Sequence, residues 1–273
     1  MKEKFIGGRG FDLWLLWNGV NDDTTWDDPE NEITIASGPC GGITQYPGSG
    51  KSIASSISPL TEIVIDSNAG GHYGPYLKFA GWDAIEVQGK AERDVFVYVD
   101  GPAGTVSVIE APEETPTNTH ELGHWITEHF AESEKDKRFF SFVSAGLGSE
   151  HSRMGCLNFS LWDRKRKDLR YKQAGRGGIG TVLRDKKIKA LIVRTPPFKG
   201  DTNEPDDLEL VVQVGADMQR EVATYDDKQN KMRKSGTSYL VEIMNDYDLL
   251  PVHNFKFGRH PEAHRIKREV WEE

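Results

Sequence analysis

Glycine arrives in clusters along this chain, 28 residues in 273, and the clusters fall at the ends of short patterned runs. EITIAS (Glu32–Ser37) alternates like a strand and runs straight into GPCGG, and EIVIDS (Glu62–Ser67) runs into NAGG. AGRGGIG (Ala174–Gly180) follows the basic stretch RKRKDLRYKQ (Arg164–Gln173). Such positions turn tightly because they lack a Cβ, and they let a backbone lie close against a ligand. SIASSIS (Ser52–Ser58), AIEVQG (Ala84–Gly89), VFVYVDG (Val95–Gly101) and VSVIEAP (Val106–Pro112) read as further strands. Residues 1–110 are therefore expected to be mostly short antiparallel strands with glycine and proline turns, not βαβ units.

Helical spacing marks a few segments. GGRGFDLWLLWNGV (Gly7–Val20) predicts an amphipathic helix through Phe11, Leu13, Trp14, Leu15, Leu16 and Trp17. Thr119–Glu134 predicts another, and Phe139–Gly146 and Cys156–Asp163 predict strands. A short helix (Thr181–Lys187) and a strand (Ala190–Arg194) follow, then TPPFKGDTNEPDD (Thr195–Asp207), a linker by composition. Beyond it Leu208–Tyr225, Gly236–Asp246 and the charged tail HRIKREVWEE all read as helix. The expected fold class is α+β. Residues 1–200 form a β-rich N-terminal domain of mostly antiparallel sheets, and residues 201–273 form a linker and the truncated start of a helical second domain. Helices after Leu208 carry an apolar face with little chain left to cover it, the mark of an interface.

Composition removes several classes. With 34 Lys and Arg against 43 Asp and Glu, the net charge of −9 argues against nonspecific binding to nucleic acid. No apolar run approaches the roughly 20 residues of a membrane span, and MKEKFIGGRG lacks a signal-peptide core. Two cysteines, Cys40 and Cys156, cannot build a disulfide scaffold or an all-cysteine cluster. A reduced, cytoplasmic setting follows as the expectation.

Three motifs invite chemistry. His120-Glu121-Leu122-Gly123-His124 is a full HExxH, which on a helix places two imidazoles one turn apart for zinc. No third ligand follows at the spacing of the extended motif, and the helix looks like a surface one. PGSGKS (Pro47–Ser52) has Gln45 where a phosphate loop needs glycine, and it leads into a strand. Gly175–Gly180 satisfies GxGxxG but lacks the apolar strand that a dinucleotide fold places before it. Backbone N–H groups with Arg176 clasping an anionic cofactor suit that loop better. Lys51, Lys172 and Arg176 stand beside glycine-rich loops, and Ser67-Asn68-Ala69-Gly70-Gly71 would let backbone approach a flat ligand.

In order and spacing, GGRGFDLWLL, DDPENEITIASGP, SISPLTE, SNAGGHYGPYLKFAGWDAIEVQGKAERDVFVYV, AGRGGIGTVLRDKKIKALIV and GTSYLVEIMNDYDLLPVHNF resemble one family. That family is the aldehyde ferredoxin oxidoreductases, tungsten enzymes with a bis-pterin cofactor (tungstopterin). The resemblance covers nearly the whole chain and implies a β-rich base on which two pterins lie. It implies that the main-chain carbonyls of Asn68 and Gln173 hold a magnesium ion bridging the pterin phosphates. It places Lys51, Ala69, Gly70, Lys172, Gly175 and Arg176 on cofactor-contact loops. Lys51 and Lys172 stand where the family typically has arginine, keeping the charge without the bidentate fork. For the HExxH segment the resemblance implies ordinary helix.

The resemblance assigns no catalytic side chain to this polypeptide. It puts the cysteine trio of a [4Fe-4S] cluster shortly beyond residue 273, with two Asp-x-x-Gly-Leu motifs and the acid–base residues further on, and the family's first strand pair ahead of Gly7. The expected partners are a chain carrying the remainder of the catalytic subunit and a ferredoxin or ferredoxin-like iron–sulfur subunit. The implied reaction is oxidation of an aldehyde to a carboxylate with ferredoxin as acceptor, the protein being a split subunit or a cofactor-base fragment of such an enzyme. The alternatives are a subunit of a benzoyl-CoA type reductase, a non-catalytic structural paralogue, and a zinc peptidase.

Overall fold

The computed structural model describes residues 3–198, 203–226 and 230–271. The chain divides into two units, residues 1–211 and 212–273.

The first unit is built on two sheets. β1 (Ile33–Ser37), β2 (Ser52–Ile57), β3 (Val64–Ala69) and β4 (Ala84–Val87) form a four-stranded sheet in the order β3-β2-β1-β4, antiparallel throughout. β5 (Val95–Asp100), β6 (Thr105–Glu110), β7 (Phe140–Ser144), β8 (Leu157–Asp163), β9 (Asp168–Ala174) and β10 (Ile188–Arg194) form a six-stranded sheet in the order β6-β5-β10-β7-β8-β9. All its pairs are antiparallel except β10–β5, which runs parallel. The α+β class with a mostly antiparallel N-terminal body is what the structure shows.

β10 sits inside its sheet and is buried on both faces. Leu191 and Val193 join one apolar cluster while Ala190 and Ile192 join another, so ALIV reads as an unbroken apolar run. The first cluster lies between the sheets. It combines Ile33, Ile35 and Ala54 of the small sheet with Val143, Leu157 and Phe159 of the large one. Two short helices, α2 (Tyr73–Phe79) and α4 (Ile179–Asp185), supply Tyr73, Leu77, Val182 and Leu183 to it. The second cluster lies on the other face of the large sheet, where Leu122 and Ile126 of α3 (Thr119–Phe130) cover Phe142 and Leu169.

Local signals explain the element ends. Asn118 caps α3 through its side chain, accepting from the N–H groups of His120 at 2.8 Å and Glu121 at 3.3 Å. α3 stops at Phe130, short of the expected Glu134, because Ala131 turns to extended backbone and the chain re-enters a sheet at Phe140. α1 (Arg9–Gly19) forms where expected, but its inward face is Phe11, Asp12 and Leu16, and Trp17 stands 83% exposed. α2 forms in a block to which the sequence reading assigns no element; Tyr73, Tyr76 and Leu77 recur at helical spacing, and Pro75 is tolerated in a first turn. β9 was also hidden, within the basic stretch, because as an outermost strand it turns Asp168, Arg170 and Lys172 to water.

The second unit contains the end of α5 (Leu208–Thr224), then α6 (Lys231–Ser235), α7 (Leu240–Asp246) and α8 (Arg268–Trp271). The expected charged helix at the tail is reduced to 3-10 backbone at Ala263–Ile266 and the single turn of α8. No helix among the described residues is long and apolar enough to cross a membrane.

Candidate cofactor face

The outermost strand of the small sheet, β3, meets the outermost strand of the large sheet, β9, and the glycine loops that follow these two strands lie side by side. After β3 the chain turns at Gly71, whose φ of +102° suits glycine and where a Cβ would stand 3.1 Å from the Ser160 carbonyl oxygen. The next N–H, of His72, donates to that same oxygen at 3.0 Å. After β9 the loop is held at Gly178, φ +70°, where a Cβ would come within 2.1 Å of the Arg153 carbonyl oxygen. The loop after β9 is tied directly to β3: the Arg176 N–H donates to Ser67 Oγ at 3.2 Å.

This seam assembles the residues singled out in the sequence. Lys51 Nζ donates to Asn68 Oδ1 at 2.9 Å, a pairing set by β2 and β3 lying antiparallel with Ser52 opposite Ala69. Gly70 faces Lys172, since a Cβ there would lie 3.5 Å from Lys172 Cγ. Gln173 is next in line and donates through Nε2 to Asn158 Oδ1 at 3.3 Å. Asn158 is a neighbour the sequence did not signal, because its position opposite Gln173 depends on the β8–β9 register. Ala69 turns its side chain into the core at 2% exposure, leaving only its main chain to a ligand.

Lys51, Asn68, Lys172, Gln173, Gly175 and Arg176 are all exposed. Among the described residues no carboxylate lies within ion-pair distance of Lys51, Lys172 or Arg176. Nothing stands within 4 Å of a Cβ built on Gly175. Three cations without acidic partners and an open glycine backbone suit a ligand bearing phosphate groups. Oxygen-seeking magnesium can be held by main-chain carbonyls whatever the side chains are.

The HExxH helix is a different matter. His120 meets the Tyr171 ring edge-on at 4.9 Å, and His124 Nε2 lies 3.6 Å from Asp168 Oδ1. Both imidazoles pack along β9, and no group of three or more His, Cys, Asp or Glu side chains able to hold a metal forms among the described residues. Cys40 and Cys156 are free thiols.

Fold and face together define a β-rich base with cations and open main chain along one seam. Residues 1–195 match the family described as aldehyde ferredoxin oxidoreductase, N-terminal domain, and residues 213–273 match aldehyde ferredoxin oxidoreductase, domains 2 and 3. The chain belongs to the aldehyde ferredoxin oxidoreductase family, a family of oxidoreductases. It is 31% identical to a tungsten-containing aldehyde ferredoxin oxidoreductase of Pyrococcus furiosus, over 99% of this chain and 41% of that protein. A protein of the same description from Thermococcus kodakarensis is 30% identical, again over 99% of this chain and 41% of the relative. A WOR-like subunit of an aliphatic sulfonate oxidoreductase from Pyrococcus furiosus is 29% identical over 70% of this chain and 30% of its own length. Among solved structures, the active site complex BamBC of benzoyl coenzyme A reductase matches with a TM-score of 0.60 and 28% identity, over 71% of this chain and 27% of that one. The chain thus spans 41% of the length of its first-named relative.

Proposed function

We propose that this chain is the cofactor-binding base of a tungsten (or molybdenum) bis-pterin oxidoreductase that oxidises aldehydes to carboxylates and passes electrons to ferredoxin. It works in a reducing, cytoplasmic setting, and the [4Fe-4S] cluster and the substrate pocket come from a partner chain or from a further part of the same polypeptide. Residues 1–200 are the base and residues 201–273 open the helical domain. The observation that carries the reading is the seam of β3 and β9, where Lys51, Lys172 and Arg176 stand without carboxylate partners beside open glycine backbone.

On this reading Lys51, Lys172 and Arg176 neutralise the phosphates of the bound group. Ala69, Gly70 and Gly175 bring main chain to its flat surfaces, and the carbonyls of Asn68 and Gln173 hold magnesium. The tungsten group supplies the two-electron chemistry when bound, while the protein fixes its place and its electrostatics. Metal analysis of the native complex tests this. Tungsten or molybdenum near one per complex is expected, and active material free of both overturns it. Lys51→Gln is expected to lower metal retention about tenfold, roughly 1.4 kcal/mol, and unchanged retention removes Lys51 from the site.

A second reading has its own support in the solved BamBC complex, which belongs to benzoyl coenzyme A reductase. Reduction of an aromatic acyl thioester by the native complex, without aldehyde oxidation, would decide for it.

A further inference from the structure

A cavity of about 710 Å³ opens in the first unit beside the candidate cofactor face, and none of the eight face residues lines it. Gly50 and Gly71, chain neighbours of Lys51 and Gly70, form part of its wall. One side is aromatic. The Phe198 ring stands 4.9 Å from Phe79 and 5.6 Å from Tyr76, and Trp162, at the far end of β8, lines the cavity as well. Thr44, Ser49 and His72 add uncharged polar groups, and the charged lining is of one sign. Arg138 and Arg164 contribute guanidinium groups, and no Asp or Glu lines the cavity in a chain carrying 43 of them.

Neither arginine has a carboxylate within ion-pair distance among the described residues. Arg138 is held over the Phe139 ring at 4.6 Å, and its Nε has no hydrogen-bond partner. Its main-chain carbonyl accepts from Tyr76 Oη at 2.7 Å, which ties the arginine to the ring cluster. His72 completes the set as a neutral group, because burial, with the Arg164 charge beside it, pushes its imidazole below the ordinary range. The volume suits a small organic molecule, for which binding sites run to roughly 300–1,000 Å³. Rings select a flat body and guanidinium groups select an anion, carboxylate or phosphate.

We propose that this cavity binds a planar aromatic anion, with the ring between Phe198 and Trp162 and the charge on Arg138 and Arg164. The site lies next to the cofactor face but is complete without it, so occupancy does not require bound metal.

The test is equilibrium dialysis of benzoate and, separately, of AMP against the full chain isolated with its native partner, with tungsten content measured on each sample. Saturable binding of at least one probe is expected below about 1 mM. It is expected to weaken about tenfold in Arg138→Gln and in Arg164→Gln, and benzyl alcohol is expected not to compete. Arg164 lies in the exposed β8–β9 turn, so its replacement leaves the core intact should Arg138→Gln fail to fold. Preference for benzoate identifies a carboxylate ligand, and preference for AMP a phosphate. Absence of saturable binding, or binding indifferent to both substitutions, overturns the proposal. Binding confined to metal-free samples also overturns it, since the cavity would then belong to the cofactor. Active material without metal that still binds the probe leaves the site standing while the redox reading falls.

Discussion

The two units of this chain use apolar residues in opposite ways. In the first, Phe142, Phe159, Leu191 and Val193 are wholly buried, and two clusters divide them between the faces of one sheet. In the second, Phe255 is 78% exposed and Tyr247 73%, and Ala263 is the one buried apolar side chain among the described residues. Composition does not separate the units, since both carry aromatic and aliphatic side chains. Order of contact does. In the first unit strands and helices cover most of the large apolar side chains, although Val106 and Val108 of β6 stay exposed, whereas α5 leaves Val212, Val214 and Val222 exposed. The two buried clusters of the first unit supply apolar stabilisation that the described residues of the second do not match.

That contrast can be broken most decisively by hydrogen exchange on the isolated chain. Amides of β7 and β10 are expected to exchange only through global opening, on the order of 5–15 kcal/mol. Amides of α5 and α7 are expected to exchange with nearly no protection, and equal protection would erase the distinction. Next in size, Phe142→Ala is expected to cost about 3–5 kcal/mol in urea unfolding, while Phe255→Ala stays within about 0.5 kcal/mol.

A pH-dependent effect comes from Asp12, which is wholly buried near Thr34 and Ser55 of the small sheet. Burial pushes its pKa from 3.8 up to about 8. Between those values the folded state holds a proton that the unfolded state has lost. Stability is therefore greatest below the unfolded pKa and falls as pH rises toward 8, by at most about 1.4 kcal/mol per pH unit. Asp12→Asn is expected to flatten that slope, and an unchanged slope would mean that Asp12 is charged in the fold. Smallest of all, His120→Ala is expected to change stability by less than about 0.5 kcal/mol and to leave metal content unaltered. Lost metal would restore a binding role to the HExxH segment.

Much of the first unit was legible because half-buried strands alternate and glycine ends them. β1, β2, β4, β5, β7 and β8 fell within the expected runs, and β3 and β6 overlapped theirs. What escaped did so for physical reasons. β9 looks like solvated chain because Leu169, Tyr171 and Ala174 are its inward side chains and the other four are exposed. α2 has seven residues, too few for periodicity to show through its glycine and proline. The inward face of α1 was misread because Leu13, Trp14 and Trp17 are apolar yet exposed, while Asp12 is buried. At the candidate face, cations beside glycines could be seen in the sequence. Asn158 and the Arg176–Ser67 bond could not, since each depends on strands brought together from distant positions.

The bond between Arg176 and Ser67 joins residues 109 positions apart, and it lies where the outermost strands of both sheets converge. Outermost strands are a standing hazard, since their unpaired backbone groups can recruit another chain. Here the two hazards are brought to one place and studded with lysine and arginine, whose mutual repulsion discourages a second protein from pairing there. An anionic ligand seated on the seam would cancel that repulsion and cover the edges in the same act. Seating such a ligand and protecting the newly folded chain from its neighbours would then be a single event.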